Sequence, residues 1–370
     1  MNRILRYALF ALLWAAVAAY VLYAGASARR ARAARSVARL EIAIVDSTSQ
    51  GQLVTSRQVR GWIARSGIRT VGAPVDGVDL AGIEQLIARN GFVAKVAAYV
   101  SYDGALHVVI RQRKPLLRLL TDGRNAYVTD RGYVFAAPRA SSLYVPVVTG
   151  PYRPPFPADY AGDAREAIDA ELRKLDERIA GLEREKYPFY KRELKNDRNI
   201  ADLRRMRIKQ QWWRLETDSM FQLRVDRLKA HKEQLRRGYR YEARLIAEGI
   251  DRISERQEAV RRAQKKLEKS YEDFMKLLTF VEYVEEDDFW RSEVVQIVAR
   301  TTSSGALEVD LVPRSGRFLI RFGRLERLDE KFGKLQRFYR SGLPAVGWET
   351  YGVIDVRYGN QVVCRKKIGS

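Results

Sequence analysis

Cysteine is almost missing from these 370 residues: Cys364 stands alone, which excludes an internal disulfide framework and any paired-cysteine metal site. Histidine is nearly as scarce, and His107 and His231 lie far apart, so neither a zinc spacing nor a Cys-His pair is present. Nucleophile-elbow and phosphate-loop patterns are absent too. Carboxylates are plentiful, but many of them sit at solvent-face positions of one helical stretch. No catalytic, cofactor-binding or metal-ligating residue is expected, and the chain reads as a binding protein rather than an enzyme. Between residues 163 and 270 glycine and proline nearly vanish as well, which argues against turn-rich sheet structure there.

What is present is positive charge and one apolar run. A net charge of +22 with pI near 10.1 calls for an anionic partner: nucleic acid, lipid headgroups or an acidic protein. Nucleic acid rests on net charge alone and would show a steep salt dependence. Residues 7–24 carry no charge and are long enough to cross a bilayer as a helix of about 20 residues. Tyr7, Trp14, Tyr20 and Tyr23 supply interface anchors. Ala26-Ser27-Ala28 has the small-residue form of a signal-peptide cleavage site, yet the apolar run exceeds the usual signal core, so a single uncleaved transmembrane helix is expected at 7–26 after a tail at 1–6. Arg3 and Arg6 precede this span, whereas Arg29, Arg30, Arg32, Arg35 and Arg39 follow it in a basic linker at 27–39. The positive-inside rule would therefore place the bulk of the chain in the cytoplasm.

The spacing after the linker predicts an α+β module over 40–113. Leu40, Ile42 and Ile44 share one strand face. Thr55 and Gln58 form a capping box, and Gly67 closes that helix. Asp79 caps a second helix with Leu80, Ile83, Leu86 and Ile87 inward and Asn90-Gly91 at its end. Val96, Ala98 and Val100 alternate up to Asp103-Gly104, and Leu106, Val108 and Ile110 alternate away from it, which predicts a hairpin with positive φ at both turn positions. His107 faces away as an ordinary exposed residue. Short strands continue over Leu116–Leu120, Ala126–Thr129, Tyr133–Phe135 and Tyr144–Val148 until a Pro-rich linker at 151–162.

Residues 163–271 predict a coiled-coil-like helical insertion. Ile168, Leu172, Leu175, Ile179 and Leu182 repeat at spacings of four and three, as do Ile246, Ile250, Ile253, Gln257, Val260, Gln264 and Leu267. Breaks at Tyr187-Pro188 and near Gly238 suggest three helices folded as an antiparallel hairpin, with Trp212-Trp213 packing the tip or meeting a partner. Strands return at Val294–Ala299, Leu307–Val312 and Phe318–Phe322. A helix from Asp329 to Tyr339 ends at Gly342, and a final hairpin joins Tyr351–Tyr358 to Gln361–Lys367 through a two-residue Gly359-Asn360 turn. The strands at 114–150 and 272–368 are each too few for a stable layer, so they are expected to form one mainly β domain interrupted by the insertion. A terminal strand leaves one row of backbone groups for another chain, unless it only pairs inside its own sheet with its basic residues as edge protection.

This layout resembles the bacterial division family FtsQ/DivIB, whose module after the membrane is of the POTRA type (β-α-α-β-β). The resemblance rests on Arg113-Lys-Pro115, Tyr127–Phe135, Val145–Gly150, Phe289-Trp290 with Gln296-Ile297, Leu311–Gly316, Glu330-Lys331 with Leu335, Phe338 and Tyr339, and Ile354–Tyr358. It covers most of 40–150 and 272–367, and the helical insertion departs from it. The resemblance implies a non-enzymatic scaffold of the division complex, single-pass in the inner membrane at the septum, with its bulk on the periplasmic side. That overrules the charge-based orientation and leaves Arg29–Arg39 as a candidate lipid contact. It implies binding of FtsB- and FtsL-type bitopic proteins and of other division membrane proteins, the latter at residues 40–113. By motif, strand addition would fall on Tyr358, Asn360, Gln361, Val362, Val363, Cys364, Arg365 and Lys366, with Arg337 and Arg340 nearby. The alternative is a membrane-anchored envelope adaptor for secretion or transport, with the coiled-coil insertion as its main binding site.

Overall fold

A computed structural model describes residues 3–33, 35–45, 53–137, 143–209 and 216–367. Trp212-Trp213 lies outside them. The chain opens with helix α1 (Arg3–Ala33), whose side chains are described from residue 12 to 27. Among the described residues no helix is long and apolar enough to cross a membrane. The expected basic linker is shorter than 27–39: α1 runs to Ala33, and Val37 is already buried and hydrogen-bonded to Ala73.

The first module follows in the order β1 (Arg39–Val45), α2 (Ser56–Ser66), α3 (Leu80–Ala88), β2 (Val93–Val100) and β3 (Ala105–Gln112). Its sheet runs β1-β3-β2, with β1 parallel and β2 antiparallel to the central β3. Val59, Ile63, Ile83 and Ile87 from the helices share a core with Leu106, Val108 and Ile110. The Thr55–Gln58 capping box is formed at both bonds, Gly67 caps in the left-handed region, and the Asp79 side chain accepts from Gly82.

Three local expectations for this module are corrected. Arg89 at the end of α3 keeps helical φ, so Gly91 is not a left-handed cap. A Cβ there would sit 2.7 Å from Cβ of Phe135, so close approach is what requires glycine. At the hairpin only Gly104 has positive φ, 81°. The Gly104 N–H donates to the Ser101 carbonyl at 3.0 Å, which makes a three-residue loop. His107 is half-buried: it stacks on Tyr99, Nε2 lies 3.0 Å from Ser101 Oγ, and Nδ1 lies 3.4 Å from Glu41.

The second layer is a ten-stranded sheet that mixes strands from both sides of the helical region. Before it come β4 (Pro115–Leu119), β5 (Ala126–Thr129), β6 (Tyr133–Ala136), β7 (Val147–Thr149) and β8 (Gly162–Asp163). Tyr144 to Pro146 are not in the strand as expected. The stretch 151–162 is no free linker either, because Tyr152 is buried and β8 pairs with β6.

Helices α4 (Ala164–Arg205) and α5 (Asp218–Glu286) come next, then α6 (Asp288–Glu293), β9 (Val294–Thr301), β10 (Leu307–Pro313), β11 (Leu319–Gly323), α7 (Leu328–Arg337), a π turn over Phe338–Gly342, α8 (Leu343–Val346), β12 (Tyr351–Asp355) and β13 (Val363–Lys366). The sheet order is β13-β12-β11-β10-β9-β7-β4-β5-β6-β8. β7 and β9 are parallel neighbours, Val148 opposite Ile297, so the connection between them is a crossover that contains the helical region. Gly342 does not end the late helix: it keeps helical φ and the chain turns on to Val346. A Cβ there would meet the Phe338 ring at 2.4 Å. Phe280, Trp290, Phe322 and Phe332 pack with centroids 4.9–5.8 Å apart. Buried Glu293 accepts from Ser315 N–H and the Tyr339 hydroxyl, and burial beside that carboxylate pushes the Tyr339 phenol far up.

The helical unit comprises Pro154–Phe156 and Ala164–Met275. Among the described residues it holds two long helices, not three. Pro188 lies inside α4 on its exposed side, where water can serve the carbonyl its ring frees, and α5 runs through Gly238. The helices are antiparallel: Gln264 bonds Asp176, Arg256 bonds Glu185, Arg192 bonds Glu242, and Asn196 bonds the Tyr239 carbonyl. Leu182, Ile253 and Val260 form the seam with Leu175, Ile179 and Phe189. Buried Lys186 donates to buried Gln257, which donates to Glu183 at 2.8 Å, a polar layer of the kind that fixes register.

Gly150 sits where β7 meets β9, with φ 100° and its would-be Cβ 2.4 Å from the Ala299 carbonyl oxygen. Gly150→Ala should lower the free energy of unfolding by about 3 kcal/mol. Urea denaturation followed by tryptophan fluorescence checks it.

Candidate partner-binding edge

β12 and β13 pair antiparallel, with Asp355 opposite Val363, Ile354 opposite Cys364 and Tyr351 opposite Lys366. β13 ends the strand order. One of its edges is bonded to β12, and among the described residues no strand lies along the other. Val363 and Arg365 are exposed while Cys364 between them is half-buried, and burial pushes the Cys364 thiol up.

The two-residue turn expected at Gly359-Asn360 does not form. The strands stop at Asp355 and resume at Val363, so residues 356–362 are a seven-residue loop committed to other partners. Val356 is fully buried and its N–H donates to the Arg321 carbonyl at 3.1 Å, which keeps it with β11. Lys334 of α7, its side chain 5% exposed and ion-paired to Glu330 at 3.2 Å, donates to the Tyr358 carbonyl at 2.5 Å and the Val356 carbonyl at 3.4 Å. Lys334, together with Arg327 and a bond from the Asn360 N–H, holds the Glu330 carboxyl below its usual range. Arg357 grips Asp355 through Nε at 2.9 Å and Nη2 at 2.6 Å. Burial opposes ionisation of Asp355, but the Arg357 bonds outweigh it and hold the carboxyl below its ordinary value of 3.8. In return Asp355 pushes the Arg357 guanidinium up.

The structure brings the expected strand residues together. Tyr358, Asn360, Gln361, Val363, Arg365 and Lys366 are exposed, with Tyr358 at 48% and Val363 at 43%, and Val362 and Cys364 are half-buried. Arg337 and Arg340 are exposed in the last turn of α7 and in the π turn. Among the described residues neither makes a hydrogen bond or ion pair to β13. Phe338 between them reaches the strands instead, its ring 6.2 Å from that of Tyr351. Sequence reasoning missed Lys334 and the Asp355–Arg357 pair. Their signals were an i,i+4 Glu-Lys spacing on α7 and an i,i+2 Asp-Arg spacing on one strand face. Among the described residues no group of His, Cys, Asp and Glu is arranged to hold a metal ion.

Lys334→Met keeps the volume and removes the donor, leaving two loop carbonyls unserved. It should cost about 2 kcal/mol of stability and speed hydrogen exchange at residues 357–362. Asp355 is an acid whose folded pKa is depressed, so its contribution is full above the unfolded pKa and is lost as pH falls through the lower folded value. The stability of the wild type should therefore drop more steeply than that of Asp355→Asn as pH is lowered below about 4, read from urea midpoints.

Two segments match known domain families. Residues 36–111 match the POTRA-like domain, which spans the first module from the β-bridge at Ser36 to β3. Residues 253–365 match a family described as FtsQ/DivIB, C-terminal related. That segment runs from the returning half of α5 through β13, so it takes in residues 253–271, which were expected to belong to the insertion. A search of curated proteins finds no match. A POTRA-like module followed by a sheet that ends in the FtsQ/DivIB-related segment, the latter taking in the resembling motifs from Phe289 to Tyr358, supports an FtsQ/DivIB-family protein.

Proposed function

We propose that the chain is a non-enzymatic, membrane-anchored scaffold of the bacterial division complex, which takes a strand from an FtsB-type bitopic partner, in company with FtsL-type proteins, along the free edge of β13. The observation that carries this reading is an outer strand whose incoming loop is already fixed by Lys334, Glu330 and Arg357. Main-chain bonds along such an edge give affinity, and alternate side chains give specificity. Val363 supplies an apolar contact, and Arg365 and Lys366 supply rim charges for an acidic segment of the partner.

Helix α1 is the proposed anchor, with the folded part on the outer side of the cytoplasmic membrane. Its support is the uncharged run 7–24 and the exposure of Leu12, Leu13, Trp14, Val17, Tyr20, Val21, Leu22 and Tyr23, which lipid would cover. Two of the arginines that follow are engaged elsewhere. Arg35 bonds the Tyr102 hydroxyl at 3.2 Å and lies over its ring, and Arg39 pairs with Glu41 and Asp103. The lipid-contact reading of the basic stretch is thereby narrowed to Arg29, Arg30 and Arg32.

A photocrosslinking residue at Val363 in living cells should trap a small single-pass membrane protein, whereas one at Asp130 should not. Equal trapping at both positions, or none at Val363, would overturn the reading. Reversing Arg365 and Lys366 to Glu should slow association about tenfold and change dissociation little.

A further inference from the structure

The helical unit is uneven along its length in two independent ways. Residues 187–244, the half farthest along the antiparallel pair from Ala164 and Met275, contain 17 Lys and Arg against 8 Asp and Glu. The remainder, 164–186 and 245–275, contains 13 against 14. Exposed large hydrophobic side chains divide the same way. Tyr187, Tyr190, Leu194, Met206, Met220, Leu223 and Tyr241 are 40–62% exposed, and among the described residues the other half has none. Neither feature serves the helix pairing, whose seam is Leu182, Ile253 and Val260 with the Lys186–Gln257 layer.

Several of the distal cations are also uncommitted. Lys195, Arg198, Arg204, Arg207 and Arg227 are exposed and make no ion pair among the described residues, although carboxylates are close by in sequence. A solvated coiled-coil face would spread charge of both signs and keep apolar side chains in the seam. A polyanion such as nucleic acid would explain the cations but not the exposed Met206, Met220 and Leu223. An anionic bilayer surface accounts for both, because cations meet the headgroups while short apolar side chains and tyrosines enter the interfacial zone.

We propose that the distal end of the helical pair, whose exposed Met206, Met220 and Leu223 share that stretch with the uncommitted Lys195, Arg198, Arg204, Arg207 and Arg227, docks on the anionic lipid headgroups of a membrane surface. This contact is separate from α1 and from the edge of β13. It gives the unit a role that strand addition does not require.

The test uses the full chain with Cys364→Ser and one environment-sensitive fluorophore, placed at Leu223→Cys or, as a control, at Glu258→Cys in the neutral half. The protein is reconstituted in vesicles of phosphatidylcholine alone or mixed with phosphatidylglycerol, so α1 is inserted in every sample. The label at 223 should shift to the blue only in the anionic vesicles, and the label at 258 should not shift in either. Changing Lys195, Arg198, Arg204, Arg207 and Arg227 to Gln should abolish the shift, each cation removed weakening the contact about fivefold, while circular dichroism shows the helices intact. A shift that is equal in neutral vesicles, that survives the five changes, or that is absent overturns the proposal. So does a duplex oligonucleotide that reproduces the shift without lipid.

Discussion

Everything in the sheet depends on one parallel pairing, that of β7 with β9. Three residues of each strand, Val147 to Thr149 and Gln296 to Val298, join the strands made before the helical region to those made after it. The Gln296 side chain adds a bond to Thr149 Oγ1 at 2.7 Å, and Gly150 lets the chain leave against the Ala299 carbonyl. Without this seam, β4–β8 and β9–β13 would be two separate sheets, each with an additional raw edge. With it, both halves share a continuous layer, and the far end of that layer is β13.

The seam also explains how a pair of helices so long fits in this fold. Adjacent parallel strands always need a crossover, and the entropic cost of closing a connection rises only with the logarithm of its length. The segment between β7 and β9 is therefore a place where added length is tolerated, provided the added chain packs on itself. The helical pair does so through its own seam of Leu182, Ile253 and Val260 and its own polar layer.

Much of this was legible in the sequence because the cues were local. Capping residues Thr55, Gln58 and Asp79, the alternation around β2 and β3, and the repeat of Ile168 to Leu182 each depend on neighbours a few positions away. The failures share the opposite cause. Gly91 looked like a helix cap but is dictated by Phe135 of a distant strand. Gly342 looked like a helix end but is dictated by the Phe338 ring, and Pro188 looked like a break but faces water. The terminal hairpin was recognised as an edge, yet its loop was misread because Lys334, more than twenty residues away, decides its path. An i,i+4 Glu-Lys pair normally signals only an exposed helix face, and nothing local marks one whose lysine turns inward.

The loop before β13 has a consequence for kinetics rather than for structure. Its backbone is held by a buried lysine, a carboxylate and an arginine clamp from this chain itself, so its conformational entropy is given up at the folding step. An incoming segment then has to order only itself. If a strand is added at this edge as proposed, encounter steered by the rim cations would be the slow step, and the supply of partner rather than rearrangement of this chain would set its timing.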